Sequence, residues 1–141
     1  MRTFFDTSVI VAASSIHHEH HGPSLLAYQR ANRNDACCAV HSLAEVYSAL
    51  TRLPGRQRIS GEQALLVVDE IREHLTTIIL DENEYRAAIA EASAQGILGG
   101  TIYDALIAYC ALRAKASIIY TWNVDHFRRC GPEVAKRVRT P

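Results

Sequence analysis

Short apolar runs alternate with longer helical stretches along nearly the whole chain, and that alternation leaves few folds open. Arg2 to Phe5, Ala36 to Val40, Thr76 to Leu80 and Ser117 to Thr121 are brief runs, bulky, β-branched or apolar, of the kind that occupy buried strands. The segments between them carry helix signals. Thr7 and Ser8 are placed to cap a helix from Val9 to Ser15, and Pro23 suits the first residue of a second helix running to about Asn32. Ser42-Leu43-Ala44-Glu45 and Ser60-Gly61-Glu62-Gln63 both read as capping boxes, the first opening a helix that ends before Pro54. Asp81-Glu82-Asn83-Glu84 starts a helix that stops at Gly96, and Thr101 is placed to cap a helix from Ile102 to Ala114. Strands separated by helices run parallel, because each crossover returns the chain to the same edge, and strand twist makes the crossover right-handed. The expected fold is therefore α/β, with a parallel four- to five-stranded sheet and helices on both faces. Val134 to Val138 is the candidate fifth, edge strand.

With 141 residues, 48% of them apolar, the chain suffices for one domain with an ordinary core and is too short for two. No internal repeat or low-complexity tract interrupts it. Cys37, Cys38, Cys110 and Cys130 match no zinc or redox spacing and read as small core residues of a reducing compartment. No stretch approaches the roughly 18 apolar residues of a membrane span. Asp6 spoils the N-terminus as a signal peptide, so a cytoplasmic protein without membrane contact is expected. Fifteen basic residues balance fifteen acidic ones, which by itself does not favour nucleic acid. Local groups remain: Arg52, Arg56 and Arg58, and the tail with Arg128, Arg129, Lys136, Arg137 and Arg139.

Acidic and amide residues share one topological address. Asp6 closes the first strand, Glu45 follows the second, Asp104 lies in the first turn of the helix after Gly99-Gly100, and Asn123 and Asp125 follow the fourth strand. In an open parallel sheet the strand ends share one edge, where ligands bind. Carboxylates gathered there repel one another unless a cation relieves them. Oxygen donors without thiolate select Mg2+ or Mn2+, and such a site suits phosphodiester hydrolysis by metal-activated water. Each acid also has a purely structural explanation, Glu45 as part of a capping box and Asp104 as a charge at a helix N-terminus. The His17-His18-Glu19-His20-His21 run lacks zincin spacing and reads as a polar loop near the site mouth. Trp122 and Tyr103 flank the expected site, and His126 adjoins it.

Four segments resemble, in order, the motifs of the PIN-domain family: Phe4-Phe5-Asp6-Thr7-Ser8-Val9-Ile10, Leu43-Ala44-Glu45-Val46-Tyr47, Tyr103-Asp104-Ala105-Leu106-Ile107-Ala108, and Thr121-Trp122-Asn123-Val124-Asp125-His126-Phe127. The resemblance spans nearly the whole chain, 1–141, taken as a single PIN domain. At this size it is similar to the toxin half of a VapBC-type toxin–antitoxin pair. The resemblance implies an Mg2+- or Mn2+-dependent endoribonuclease, an RNA substrate, a small VapB-like antitoxin partner and a homodimer. It makes Asp6 and Asp104 the metal ligands and Glu45 a third acid. Ser8 and Thr121 support the carboxylates, and Asn123 or Asp125 completes the site. Two other readings stay open: a non-catalytic PIN-like module that binds RNA or protein, kept alive by Asn123, and a haloacid-dehalogenase-like phosphotransferase using Asp6 as nucleophile.

Overall fold

The computed structural model describes residues 2–141. Five strands form one fully parallel sheet: β1 (Thr3–Phe5), β2 (Ala36–Ala39), β3 (Thr76–Ile78), β4 (Ile118–Tyr120) and β5 (Val138–Arg139). Their order across the sheet is β3-β2-β1-β4-β5. The chain thus builds outward from β1 in one direction, then returns to place β4 on its other side. The gap between the ends of β1 and β4 is a topological switch point, where connections leave in opposite directions and open a crevice.

Alternation along each strand sorts the core into two layers. Phe5 and Cys38 face a layer with Val9, Ile10 and Ala13 of α1 (Thr7–Ser14), Tyr28 of α2 (His21–Arg30), Val46 and Leu50 of α3 (Val40–Thr51) and Ile71 of α4 (Gly61–His74). Phe4 and Cys37 face the opposite layer, with Ala92 of α5 (Glu82–Ala94), Ile107 and Ala111 of α6 (Ile102–Arg113), Phe127 of α7 (Val124–Arg128) and Val134 of α8 (Pro132–Ala135). The adjacent cysteines fall on opposite faces because strand side chains alternate. All four cysteines are free and buried.

Local signals held where the cap lies on the surface and failed where tertiary contacts claim it. Ser60 and Asp81 make reciprocal capping boxes with Gln63 and Glu84. The box expected at Ser42–Glu45 does not form: α3 starts earlier, at Val40, capped by the backbone of Ala39, and both side chains turn inward to Thr7. Asp6, rather than Thr7 or Ser8, caps α1. Thr101 ends a 3-10 turn, Gly99–Thr101, and donates its hydroxyl to Leu98 O instead of capping α6. The last segment splits into α8 and a two-residue β5, since Pro132 sits at a helix start.

Gly131 has φ 109°, and a Cβ there would meet Gln95 Nε2 at 2.9 Å. That amide donates to Cys130 O and ties α5 to the turn before α8. Gly131→Ala is therefore expected to cost about 1–3 kcal/mol, from backbone strain and displacement of Gln95, read as a lower denaturant midpoint with an unchanged far-UV spectrum.

Candidate active site

The switch-point crevice holds a buried carboxylate. Asp6 follows β1 directly and is 1% exposed. Its Oδ2 accepts from Ser8 Oγ at 2.7 Å and Thr121 Oγ1 at 2.7 Å, with a longer contact to Ser8 N at 3.4 Å. Each hydroxyl is aimed by the backbone just past β4: Trp122 N–H donates to Ser8 Oγ at 2.9 Å, and Asn123 N–H to Thr121 Oγ1 at 2.9 Å. A hydroxyl that accepts from a backbone N–H is left with its proton to give, so both protons point at Asp6. This explains why Thr121, at the end of β4, and Ser8, in the first turn of α1, carry hydroxyls.

All of these bonds fall on one oxygen. No buried side-chain oxygen or nitrogen among the described residues lacks a partner. Oδ1, which takes part in none of the bonds above, is therefore the oxygen presented to the cleft. Burial pushes the Asp6 carboxyl from 3.8 up to about 6; the two hydroxyl bonds lower it, and the Asp104 charge raises it further. The group is held at the edge of ionisation by desolvation, with a second carboxylate adding repulsion.

An open cleft of about 430 Å³ surrounds this group, bounded by Ser8, Glu45, Asp104, Trp122, Asn123 and Arg52, among others. Glu45 reaches it from the second turn of α3, and its Oε1 accepts from Thr7 Oγ1 at 2.8 Å. Thr7 Oγ1 also lies 2.8 Å from Ser42 Oγ. Asp104 comes from the first turn of α6, and its Oδ2 lies 2.9 Å from His126 Nδ1. An ionised carboxylate only accepts, so Nδ1 is the protonated nitrogen of that pair.

The structure thus brings Asp6, Glu45, Asp104, Asn123 and Ser8 around one cleft, with Thr121 behind Asp6. Asp125 is exposed in the first turn of α7 and lies outside the cleft lining. Between the two fourth-segment residues, the structure sets Asn123 at the cleft, where α7 begins only after it.

Two stacked ring pairs lie near the carboxylates. His20 lies on Trp122 with centroids 3.7 Å apart and planes at 9°, and the Trp122 indole N–H is held by Ser24 Oγ at 2.8 Å. His41 stacks on Tyr103 at 5.5 Å and 4°, with its Nε2 4.0 Å from Glu45 Oε2. His18 and His20 line the cleft, consistent with a polar loop at its mouth. The sequence reading missed Thr7 as the partner of Glu45, His126 as the partner of Asp104, and Arg52 as a cleft residue. Only Arg52 had a signal, its membership of a basic group.

Among the described residues no group of three or more His, Cys, Asp or Glu side chains stands ready-made to hold a metal ion. The carboxylates instead each hold a hydroxyl or imidazole donor. The donor set still fits a hard divalent cation. It offers the Asp6 oxygen that faces the cleft, carboxylates from α3 and α6, and the Asn123 amide. The histidine nitrogens at the mouth are not grouped with these oxygens, and His18 Nδ1 already accepts from His20 N at 3.0 Å.

A model of the PIN domain matches residues 3–131. The chain belongs to the PIN-domain family. Ribonuclease VapC40 of Mycobacterium tuberculosis is 32% identical over 114 residues, covering 81% of each chain. The PIN fold of the chain is shared with the crystal structure of M. tuberculosis VapC20, described as a Sarcin-Ricin loop cleaving toxin, at TM-score 0.71 and 16% identity, covering 88% of this chain and 92% of that one. VapBC2 from Rickettsia felis, solved bound to a DNA fragment from its promoter, superposes at TM-score 0.65 with 20% identity, covering 99% and 98%. These relatives place the chain with VapC-type PIN ribonucleases. No helix among the described residues is long and apolar enough to cross a membrane.

Proposed function

We propose that this PIN domain is a metal-dependent endoribonuclease acting as the toxin of a toxin–antitoxin pair. The observation that carries the reading is the buried Asp6 carboxylate, oriented through one oxygen and presenting the other to a cleft that Glu45 and Asp104 share. A carboxylate raised to about 6 by burial gains from a cation placed beside it.

Asp6 and Asp104 would hold an Mg2+ or Mn2+ ion, with Glu45 as third acid and Asn123 offering its amide oxygen. The chemistry such an ion would supply there is a more acidic water and a positive charge to offset the one that gathers on the phosphate. The chain's own residues do the rest. Ser8 and Thr121 hold the Asp6 plane fixed. Thr7 fixes Glu45 Oε1, leaving Oε2 to take a proton from the attacking water. His126 anchors Asp104. Arg52 supplies positive charge for an RNA backbone passing over the cleft, and Trp122, locked between His20 and Ser24, makes a rigid wall on which a base can stack.

The named relatives support the partner assignment. The structural neighbours include VapBC2 of Rickettsia felis, bound to a DNA fragment from its promoter, and VapC20, described as a toxin; a VapB-like antitoxin is proposed here, with a homodimer as the resting assembly and the cytoplasm as its site. The absence of a second acid two residues after Asp6, where Ser8 stands, disfavours the phosphotransferase reading, because Ser8 spends its proton on Asp6.

The test is incubation of the purified chain with labelled RNA, with Mg2+ or Mn2+ and with chelator. Cleavage that needs the metal and vanishes in Asp104→Ala supports the proposal. RNA bound but uncut under every condition would leave the binding-module reading instead. A companion expectation concerns stability. Metal at about 100 times its Kd should stabilise the folded chain by about 2.7 kcal/mol, seen as a higher melting temperature that Asp6→Ala abolishes.

A further inference from the structure

Beyond the carboxylate cleft, and resting on the nuclease reading above, the structure shows a second cavity of about 410 Å³ lined by Gln95, Gly96, Ile97, Leu98, Thr101, His126 and Arg129. One side-chain pair separates the two. Asp104 lines the carboxylate cleft, its Oδ2 is 2.9 Å from His126 Nδ1, and His126 lines the second cavity. We propose that this second cavity receives the nucleotide flanking the scissile phosphate, with Arg129 on its phosphate and Leu98 against its base.

The walls are built rather than incidental. The C-terminus of α5 closes in a left-handed glycine turn: Gly96 has φ 73°, Gly96 N–H donates to Ser93 O at 3.1 Å and Ile97 N–H to Ala92 O at 2.9 Å. That turn projects Leu98 outward, 80% exposed, where no packing partner explains it. Gln95 pins the same turn to Cys130 O at 3.1 Å, beside Arg129. Arg129 is exposed and forms no ion pair among the described residues, whereas Arg113 and Arg137 each hold a glutamate. An unpaired guanidinium next to an exposed aliphatic side chain offers a nucleotide both things it presents, a phosphate and a flat apolar face. A strand leaving the acid cleft across Asp104 meets this cavity directly. The Arg52 side of the first cleft then takes the strand's other arm.

The experiment measures binding of a fluorescein-labelled single-stranded oligoribonucleotide of about ten residues, a span within the usual range for single-strand sites. It uses the full Asp6→Asn chain without divalent metal, so that RNA is bound but not cut during the measurement, over a series of salt concentrations. Arg129→Ala should weaken binding about tenfold at low salt and reduce the slope of log K against log salt by about 0.7, the share of one phosphate on a single strand. Leu98→Asp, at an exposed site that tolerates the change, should also weaken binding. Arg33→Ala, at the opposite sheet edge, should leave the slope unchanged. An Arg129→Ala slope equal to the parent's, with wild-type chain still cutting RNA, overturns the subsite and leaves the nuclease intact. A parent that binds no RNA, together with a wild type that cuts none, overturns the nuclease reading and this one with it.

Discussion

Asp6→Asn is expected to abolish RNA cleavage and, at the same time, to stabilise the metal-free protein at neutral pH by about 3 kcal/mol. The two effects share one cause. The carboxyl is raised from 3.8 to about 6 because burial disfavours its charge. The folded state therefore holds this proton more tightly than the unfolded chain. The stability so gained is fully present below about pH 4 and lost as pH climbs through about 6; above that the native protein carries a buried charge it would rather not have. Asparagine keeps an oxygen for the Ser8 and Thr121 hydroxyls and carries no charge. Wild type and variant should melt together near pH 4 and diverge up to about pH 7, with the variant higher. Thermal melts of metal-free protein across that range check the sign, since a variant that melts below wild type at pH 7.5 contradicts it. The same protonation competes with metal, so Mn2+ affinity should rise between about pH 5 and 7 and level off above.

Thr121→Val carries the second large effect. The Thr121 hydroxyl takes the Asn123 N–H and gives its proton to Asp6 Oδ2, and the residue is fully buried. Valine keeps the shape and deletes both bonds, leaving a buried carboxylate oxygen and a backbone donor short of partners. A cost of about 1–3 kcal/mol is expected, with metal affinity or turnover reduced about 10- to 100-fold because the carboxylate loses its orientation. Thr121→Ser, which retains the hydroxyl, should recover most of the activity. Stability by denaturant titration and Mn2+ affinity by calorimetry separate the two consequences. Equal metal affinity in Thr121→Val and wild type would mean that Asp6 needs no such support.

Strand–helix alternation was enough to foresee the sheet and its parallel sense, because each short apolar run has to be buried on both faces. The address of Asp6, Glu45, Asp104 and Asn123 at strand ends followed from the same topology. Boundaries were less legible wherever a side chain had a distant partner. Ser42 and Glu45 satisfy a local capping pattern, yet Thr7, 35 and 38 residues away, offers both of them a partner inside the crevice. That competition made the local motif misleading and freed Glu45 for the site. His126 lies 22 residues from Asp104, and no spacing rule relates them; only the packing of α7 against α6 does. The stack of His20 on Trp122 is likewise a product of the fold. Asn123 and Asp125, which motif spacing left as equals, are separated by where α7 begins.

The account depends on the carboxylates at the β1–β4 crevice taking up a divalent cation. Calorimetric titration of Mn2+ into metal-free protein at pH 7.5 addresses this directly. Saturable binding in wild type that disappears in Asp6→Asn and in Asp104→Asn is the predicted result. Binding that persists unchanged in both variants, or none in wild type at millimolar Mn2+, would contradict it.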